Sequence, residues 1–255
     1  MCTVTVHRTC DRLLVTMNRD ERRDRAPENS PVLHHGDISW LAPSDSERGG
    51  TWIAVNELGV VTCIMNGYVS GESPAPPASS NVPTRGAIIP RLIERGGLQD
   101  IRNALVREFD PAPYPSFTLI LAHHGAVESF DWRGNGMLAD RTHDDVWSAF
   151  SSSSWKTDEV IAWRMRAFDL WRADGCKMTN DLPSLHLQHP DGMREWSPLM
   201  DREHTCTRSI TQVEIARGRD KAVMRYWRRD ALDAGRAPFV TTLPLHLEQS
   251  LTHHG

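Results

Sequence analysis

The sequence predicts an α+β protein made of antiparallel sheets with helices packed against them. Three observations lead there. Strand-like segments occur as hairpin pairs, and helical spacing is confined to blocks between the hairpins. No internal repeat or break in composition divides the 255 residues, so a single domain over 1–255 is expected. With 39% hydrophobic and 24% charged residues, a chain of this length can bury a large core without covalent staples.

The elements follow in order. Val4 and Val6 alternate with Thr3, Thr5 and His7, a strand of period two. Leu13 to Met17 is a second strand, and Thr9-Cys10-Asp11 is the turn of a hairpin between them. Residues 18–50 are polar and proline-bearing, show little periodicity and end in Gly49-Gly50. Residues 51–55 and 60–66 read as paired strands across a turn in which Gly59 supplies positive φ. Residues 67–82, with Pro74, Pro76, Pro77 and several serines, read as loop. Helical segments are expected over 87–95 and 98–109, separated by Gly96-Gly97. A hairpin follows over 117–122 and 127–132, then a short strand at 146–150 running into Ser151–Ser154. Val160, Trp163, Ala167, Phe168 and Trp171 recur at helical spacing, with Thr157 or Asp158 placed as cap. A last hairpin spans 209–216 and 221–227, and the tail after about 235 reads as irregular.

Composition excludes several classes. The net charge of -4 and the absence of a basic face interleaved with aromatics argue against nucleic-acid binding. No apolar run approaches the ~20 residues of a membrane span, and the first twelve residues lack a signal peptide's apolar core. Five cysteines, an odd number without C-x-x-C spacing, support neither a disulfide framework nor a zinc ribbon. A cytoplasmic protein with reduced thiols is expected. His186 and His189 are three apart but lie between prolines, and no nearby carboxylate completes a recognised ligand set, so no metal site is expected.

Cys2 carries the most specific chemical signal. Removal of Met1 would place a thiol (pKa ~8.5) and a free α-amine (pKa ~8) on one residue, so the amine can take the thiol's proton near neutral pH. Taken alone, a Met-Cys start is most simply the beginning of a strand. The hairpin adds weight. If it turns about Cys10, positions summing to about 20 face each other, and Cys2 lies opposite Asn18 beside Arg19 and Asp20. A guanidinium there would favour the thiolate, a carboxylate could orient the α-amine, and the Asn18 amide could donate to a substrate carbonyl. The bland alternative for residues 18–24 is a solvated charged loop.

A Met-Cys start, a strand and then Asn18-Arg19-Asp20-Glu21 resembles the NRDE family, which includes the transport and Golgi organisation proteins. Asp24–Pro27, Gly49–Asn56, Asn66, Ser151–Ser153 and Thr205–Ser209 resemble further family segments in order. The family in turn resembles N-terminal nucleophile (Ntn) hydrolases of the bile-salt hydrolase and penicillin V acylase branch. That resemblance implies an αββα sandwich of two antiparallel sheets flanked by helices. It implies Cys2 as nucleophile, Arg19 and Asp20 as its supports, Asn66 as oxyanion donor and Arg208 as a later supporting arginine. A second active-site Asn of the branch has no counterpart here, and Ser151 or Ser152 are the local candidates. Trp52, beside Gly49-Gly50, is a candidate cleft-lining residue. The expected activity is an amidase or acyltransferase on a small acyl substrate, with no cofactor. The alternative is a non-catalytic haem-binding protein, since relatives have been linked to haem trafficking.

Overall fold

The structure, a computed structural model, describes residues 2–68 and 82–246. The loop expected at 67–82 therefore lies largely outside the described residues, as does His253-His254. Strands β1 (Cys2–Arg8), β2 (Arg12–Arg22), β3 (Asn29–His34), β4 (Trp40–Ser44), β5 (Ile53–Asn56) and β6 (Val61–Asn66) come first. Helices α1 (Ile88–Ile93) and α2 (Leu98–Asn103) follow, α2 continuing in a π-helical turn over Ala104–Glu108. Then come β7 (Phe117–Ala122), β8 (Val127–Trp132), β9 (Leu138–His143), β10 (Trp147–Ser152) and α3 (Thr157–Ala173). A small pair, β11 (Met178–Thr179) and β12 (Leu182–Pro183), precedes β13 (Thr205–Ala216), β14 (Lys221–Arg228), α4 (Arg229–Asp233) and β15 (Phe239–Pro244).

These strands form two large antiparallel sheets. One has the order β10-β1-β2-β13-β14-β15, the other β3-β4-β5-β6-β7-β8-β9. Strand alternation explains how they stack. Val4, Val6, Leu13, Val15 and Met17 point from the first sheet into a shared core with Ile53, Val55, Val61, Cys63 and Ile120 of the second. The second sheet's other face buries Trp40, Ala54, Leu119 and Phe130 against Ile88, Ile89, Ile93 and Ile101 of α1 and α2. The first sheet's other face meets α3 through Trp147, Phe168 and Trp171, and meets α4 through Ile210, Trp227 and Leu232. The result is the expected four-layer αββα arrangement.

Several local expectations are corrected. Residues 18–50 are not a loop: β2 runs on to Arg22, and β3 and β4 follow. The tail is not irregular at 239–244, where β15 pairs with β14. β9 was not anticipated. The first hairpin pairs positions summing to 21, not 20, so Cys2 faces Arg19, and Asn18 faces Thr3. At the start of α3 the cap position is Lys156 at φ 42°, while the Thr157 hydroxyl donates to the Ser153 carbonyl at 3.0 Å. The buried stripe of α3 is Val160, Arg164, Phe168 and Trp171, with Trp163 only half-buried. An arginine thus takes a place assigned to apolar side chains, and its reason lies in the site.

Candidate active site

A cleft of about 360 Å³ opens where β1, β2 and β6 end together. Cys2, Arg19, Asp20, Trp52 and Asn66 all line it, joined by Tyr68 and Arg85. The first hairpin's register is the cause. It sets Cys2 and Arg19 side by side on one face of the sheet, in line with Val4 and Met17 below them.

Arg19 is held from three sides. Its guanidinium donates to Glu28 at 3.3 Å and to Asp45 at 3.4 Å, and lies 4.3 Å over the Trp52 ring. Glu28 is itself buried and accepts from the Tyr226 hydroxyl at 2.9 Å. Burial, together with the Glu28 carboxylate, pushes the Tyr226 phenol well above its ordinary pKa, so Tyr226 stays a donor. Asp45 is fixed in turn by Arg25, at 2.6 Å.

Asp20 faces the other way as well as the cleft. Its carboxylate accepts from the Thr207 hydroxyl at 2.6 Å and pairs with Arg164 at 3.5 Å. Arg164 has no exposed side-chain surface. Its remaining donors go to the Thr3 and Ser151 hydroxyls and to the carbonyls of Trp196 and Ser197. Burial lowers the pKa of Arg164 and the Asp20 charge opposes that shift. A buried guanidinium survives only with such partners.

Cys2 is 7% exposed. Its backbone nitrogen donates to Ser152 Oγ at 3.1 Å, and its carbonyl accepts from Ser151 Oγ at 3.4 Å. Burial raises the pKa of its thiol and the Asp20 carboxylate adds to that, while the Asp20 backbone N–H and the Arg19 guanidinium pull it down. Asn66 Nδ2 donates to the Tyr68 hydroxyl at 2.6 Å, which leaves its second N–H for another acceptor.

Four of the residues singled out from sequence lie elsewhere. Asn18 has the opposite strand parity from Arg19 and is fully buried. Its amide donates to the His186 and Pro198 carbonyls, and its Oδ1 accepts from His186 Nδ1. It is not placed to meet a substrate. Ser151 and Ser152 bind the backbone of Cys2 rather than lining the cleft. Arg208 sits at a register shift between Thr207 and Ser209, and its guanidinium reaches the carbonyls of Arg22, Arg23 and Arg25.

Sequence reasoning missed Glu28, Asp45, Tyr68, Arg85, Arg164 and Thr207. Only Arg164 left a readable signal, four residues from both Val160 and Phe168 on the apolar stripe. His186, seen beforehand as part of a loop, is buried in a 3₁₀ turn (Ser184–Leu187), with Nε2 2.7 Å from the Thr5 hydroxyl. Among the described residues, no group of three or more His, Cys, Asp or Glu is placed to hold a metal ion. For a haem, the cleft offers Cys2, Met65 and Tyr68 as ligand types, and no described histidine lines it. No helix among the described residues is long and apolar enough to cross a membrane.

Comparisons with known proteins agree with this architecture. The chain is similar in structure to penicillin V acylase from Agrobacterium tumefaciens (11% identity, TM-score 0.54, covering 96% of this chain and 86% of that one). It is also similar to the Caenorhabditis elegans N-acylethanolamine-hydrolyzing acid amidase ortholog (9% identity, TM-score 0.57, covering 96% and 100%). At such identities the likeness is one of fold, the Ntn-hydrolase fold. No curated protein sequence matches the chain. The sequence model of the Transport and Golgi organisation 2 family matches residues 1–164, and the chain belongs to that family.

Proposed function

We propose that this protein is a cysteine amidase or acyltransferase whose nucleophile is Cys2, exposed by removal of Met1. The observation that carries this reading is the position of Cys2. It starts a central strand on the wall of a cleft, opposite a guanidinium, with its own nitrogen held by Ser152. A thiol whose pKa is raised by burial needs a base at hand, and the freed α-amine is the nearest.

In this reading the α-amine takes the Sγ proton, and the thiolate attacks the carbonyl carbon of an amide. Asn66 donates its second N–H to the oxygen as it gains charge. The tetrahedral intermediate collapses, the C–N bond breaks, and the α-ammonium returns the proton to the leaving amine. Water, or an acceptor amine, then attacks the thioester by the same base and releases Cys2. Arg19 stabilises the thiolate. Asp20, fixed by Thr207 and Arg164, presents its backbone N–H to the sulfur.

The test has two parts. Intact mass of the native protein should show loss of Met1. Cys2→Ser should reduce turnover of a panel of N-acyl amides by about 10³-fold or more, with an unchanged melting temperature. Retention of Met1, or turnover indifferent to Cys2, sinks the reading. The non-catalytic alternative, haem binding on the same scaffold, is separated by titration with hemin, where a Soret shift lost in Cys2→Ser would favour it.

A further inference from the structure

Two of the arginines that line the cleft have no described carboxylate in contact with them, although Glu21, Asp20 and Asp45 line it too. Five arginines line it: Arg19, Arg22, Arg25, Arg48 and Arg85. Arg19 is paired with Glu28 and Asp45, Arg25 with Asp45 and Glu47, and Arg22 with Asp24. Arg48 and Arg85 have no carboxylate partner among the described residues. Arg48 is exposed at the rim, whereas Arg85 is half-buried.

Arg85 is held in place rather than loosely presented. Its Nε–H donates to the Ser116 carbonyl at 2.7 Å. The neighbouring Gly86 packs so tightly on Gly50 that a Cβ on Gly50 would come within 2.6 Å of the Gly86 carbonyl carbon. The Thr51 N–H donates to the Gly86 carbonyl at 3.0 Å across the same contact. Two backbone segments are thereby pinned together, and Arg85 projects from one of them at the cleft wall. Its terminal amino groups make no hydrogen bond to any described residue. A half-buried guanidinium with no carboxylate in contact gains from the arrival of an anion; burial lowers its pKa, and the Glu21 charge only partly opposes that. Its planar fork suits two-pronged contact with a carboxylate or phosphate.

We propose that the substrate bears an anionic group, a carboxylate or a phosphate, and that Arg85 binds it in the Cys2 cleft. Arg85 is then a specificity-determining residue, and Arg48 adds a steering charge at the entrance. This rests on the reading of the cleft as the substrate site.

Binding is measured by calorimetry on Cys2→Ala protein, which cannot turn over. Two matched probe pairs are used: N-octanoylglycine against N-octanoylglycinamide, and N-octanoyl-phosphoethanolamine against N-octanoylethanolamine. In one pair the anionic member should bind about 10- to 100-fold more tightly than the neutral one. Arg85→Met in the same background should erase that preference, and Arg85→Lys should retain part of it. The pair that shows the preference tells carboxylate from phosphate. Equal binding within both pairs, a preference that survives Arg85→Met, or no binding of any probe at millimolar concentration overturns the proposal. The first and last of these outcomes need no Arg85 variant, so poor folding of one cannot shield the idea. Turnover of the same probes by the Cys2-bearing protein is read separately. Charge preference without Cys2-dependent turnover sinks the catalytic reading alone. Turnover without charge preference sinks the anion site alone.

Discussion

The two faces of the first sheet, at the end where Cys2 lies, use the same chemistry for different ends. On the inner face Arg19 meets Glu28 and Asp45 and lies on Trp52, at the edge of an open cleft. On the outer face Arg164 meets Asp20, Thr3 and two carbonyls, with no side-chain surface left to water. One sheet lies between these guanidiniums, since Arg164 pairs with the residue next to Arg19 on β2. What differs is what each leaves available. Arg19 can act on whatever enters the cleft. Arg164 acts from behind the sheet, by fixing Asp20, whose N–H faces the Cys2 sulfur, and Ser151, whose hydroxyl holds the Cys2 carbonyl.

The largest effect that would break this comparison is expected at the sealed face. Arg164→Met removes one partner of a buried pair and takes from Asp20 the guanidinium that faces it under α3. That should cost about 3–5 kcal/mol, a fall in melting temperature on the order of 10 °C for a chain of this size. Adding Asp20→Asn should recover part of the loss. Arg19→Met should show the opposite balance, losing more in kcat/KM on an N-acyl amide than in stability, because its carboxylate partners remain within reach of Arg25 and Arg208. Equal melting temperatures for wild type and Arg164→Met would mean that the sealed face does not carry the load assigned to it.

The same contrast explains what could be read from sequence. Strands with one face in the inter-sheet core declare themselves, since Val4, Val6, Val15 and Met17 recur at period two. Of the missed strands, β3, β9 and β15 are sheet edges, while β4 is interior but only five residues long and carries Pro43. An edge strand can be solvated on several sides and can carry Pro31 or a run such as Ala139-Asp140-Arg141-Thr142, so neither alternation nor propensity marks it. Within the site, Cys2 and Arg19 are legible because hairpin pairing is local. The error of one in the register sum was enough to send Asn18 to the wrong face, since side chains alternate. Glu28, Asp45 and Arg85 reach the cleft through long-range packing of separate segments, and no spacing in the sequence records that.

A second outer-face group sharpens the comparison through pH. His186 is buried with Nδ1–H donated to Asn18 Oδ1 and Nε2 accepting from the Thr5 hydroxyl. Burial lowers its pKa to about 3, from an ordinary 6.5. Between those values the unfolded chain binds a proton that the folded chain refuses, so stability is full above about pH 6.5 and declines as pH falls towards 3. The slope approaches about 1.4 kcal/mol per pH unit. His186→Gln should flatten that part of the acid limb in a urea-melt series against pH. Identical acid limbs in the two proteins would place the titration elsewhere.

The smallest effect is expected at Arg208, and it discriminates between its resemblance to an active-site arginine and its observed place. The register shift between Thr207 and Ser209 takes Arg208 out of strict pairing with β2, and its guanidinium spans the carbonyls of Arg22, Arg23 and Arg25 at 3.2–3.3 Å. Two of these contacts are solvent-exposed, so water can replace the lost donor. Arg208→Ala should therefore cost about 1 kcal/mol of stability. Turnover of an N-acyl amide should change by less than about threefold, because the Glu28 carboxylate, whose Oε2 is 3.9 Å away, keeps Arg19 on that oxygen and Tyr226 on the other. A loss of a hundredfold in kcat at constant KM would show that Arg208 reaches the cleft through Glu28 after all. The inner face would then extend one strand further across the sheet than the hydrogen bonds draw it.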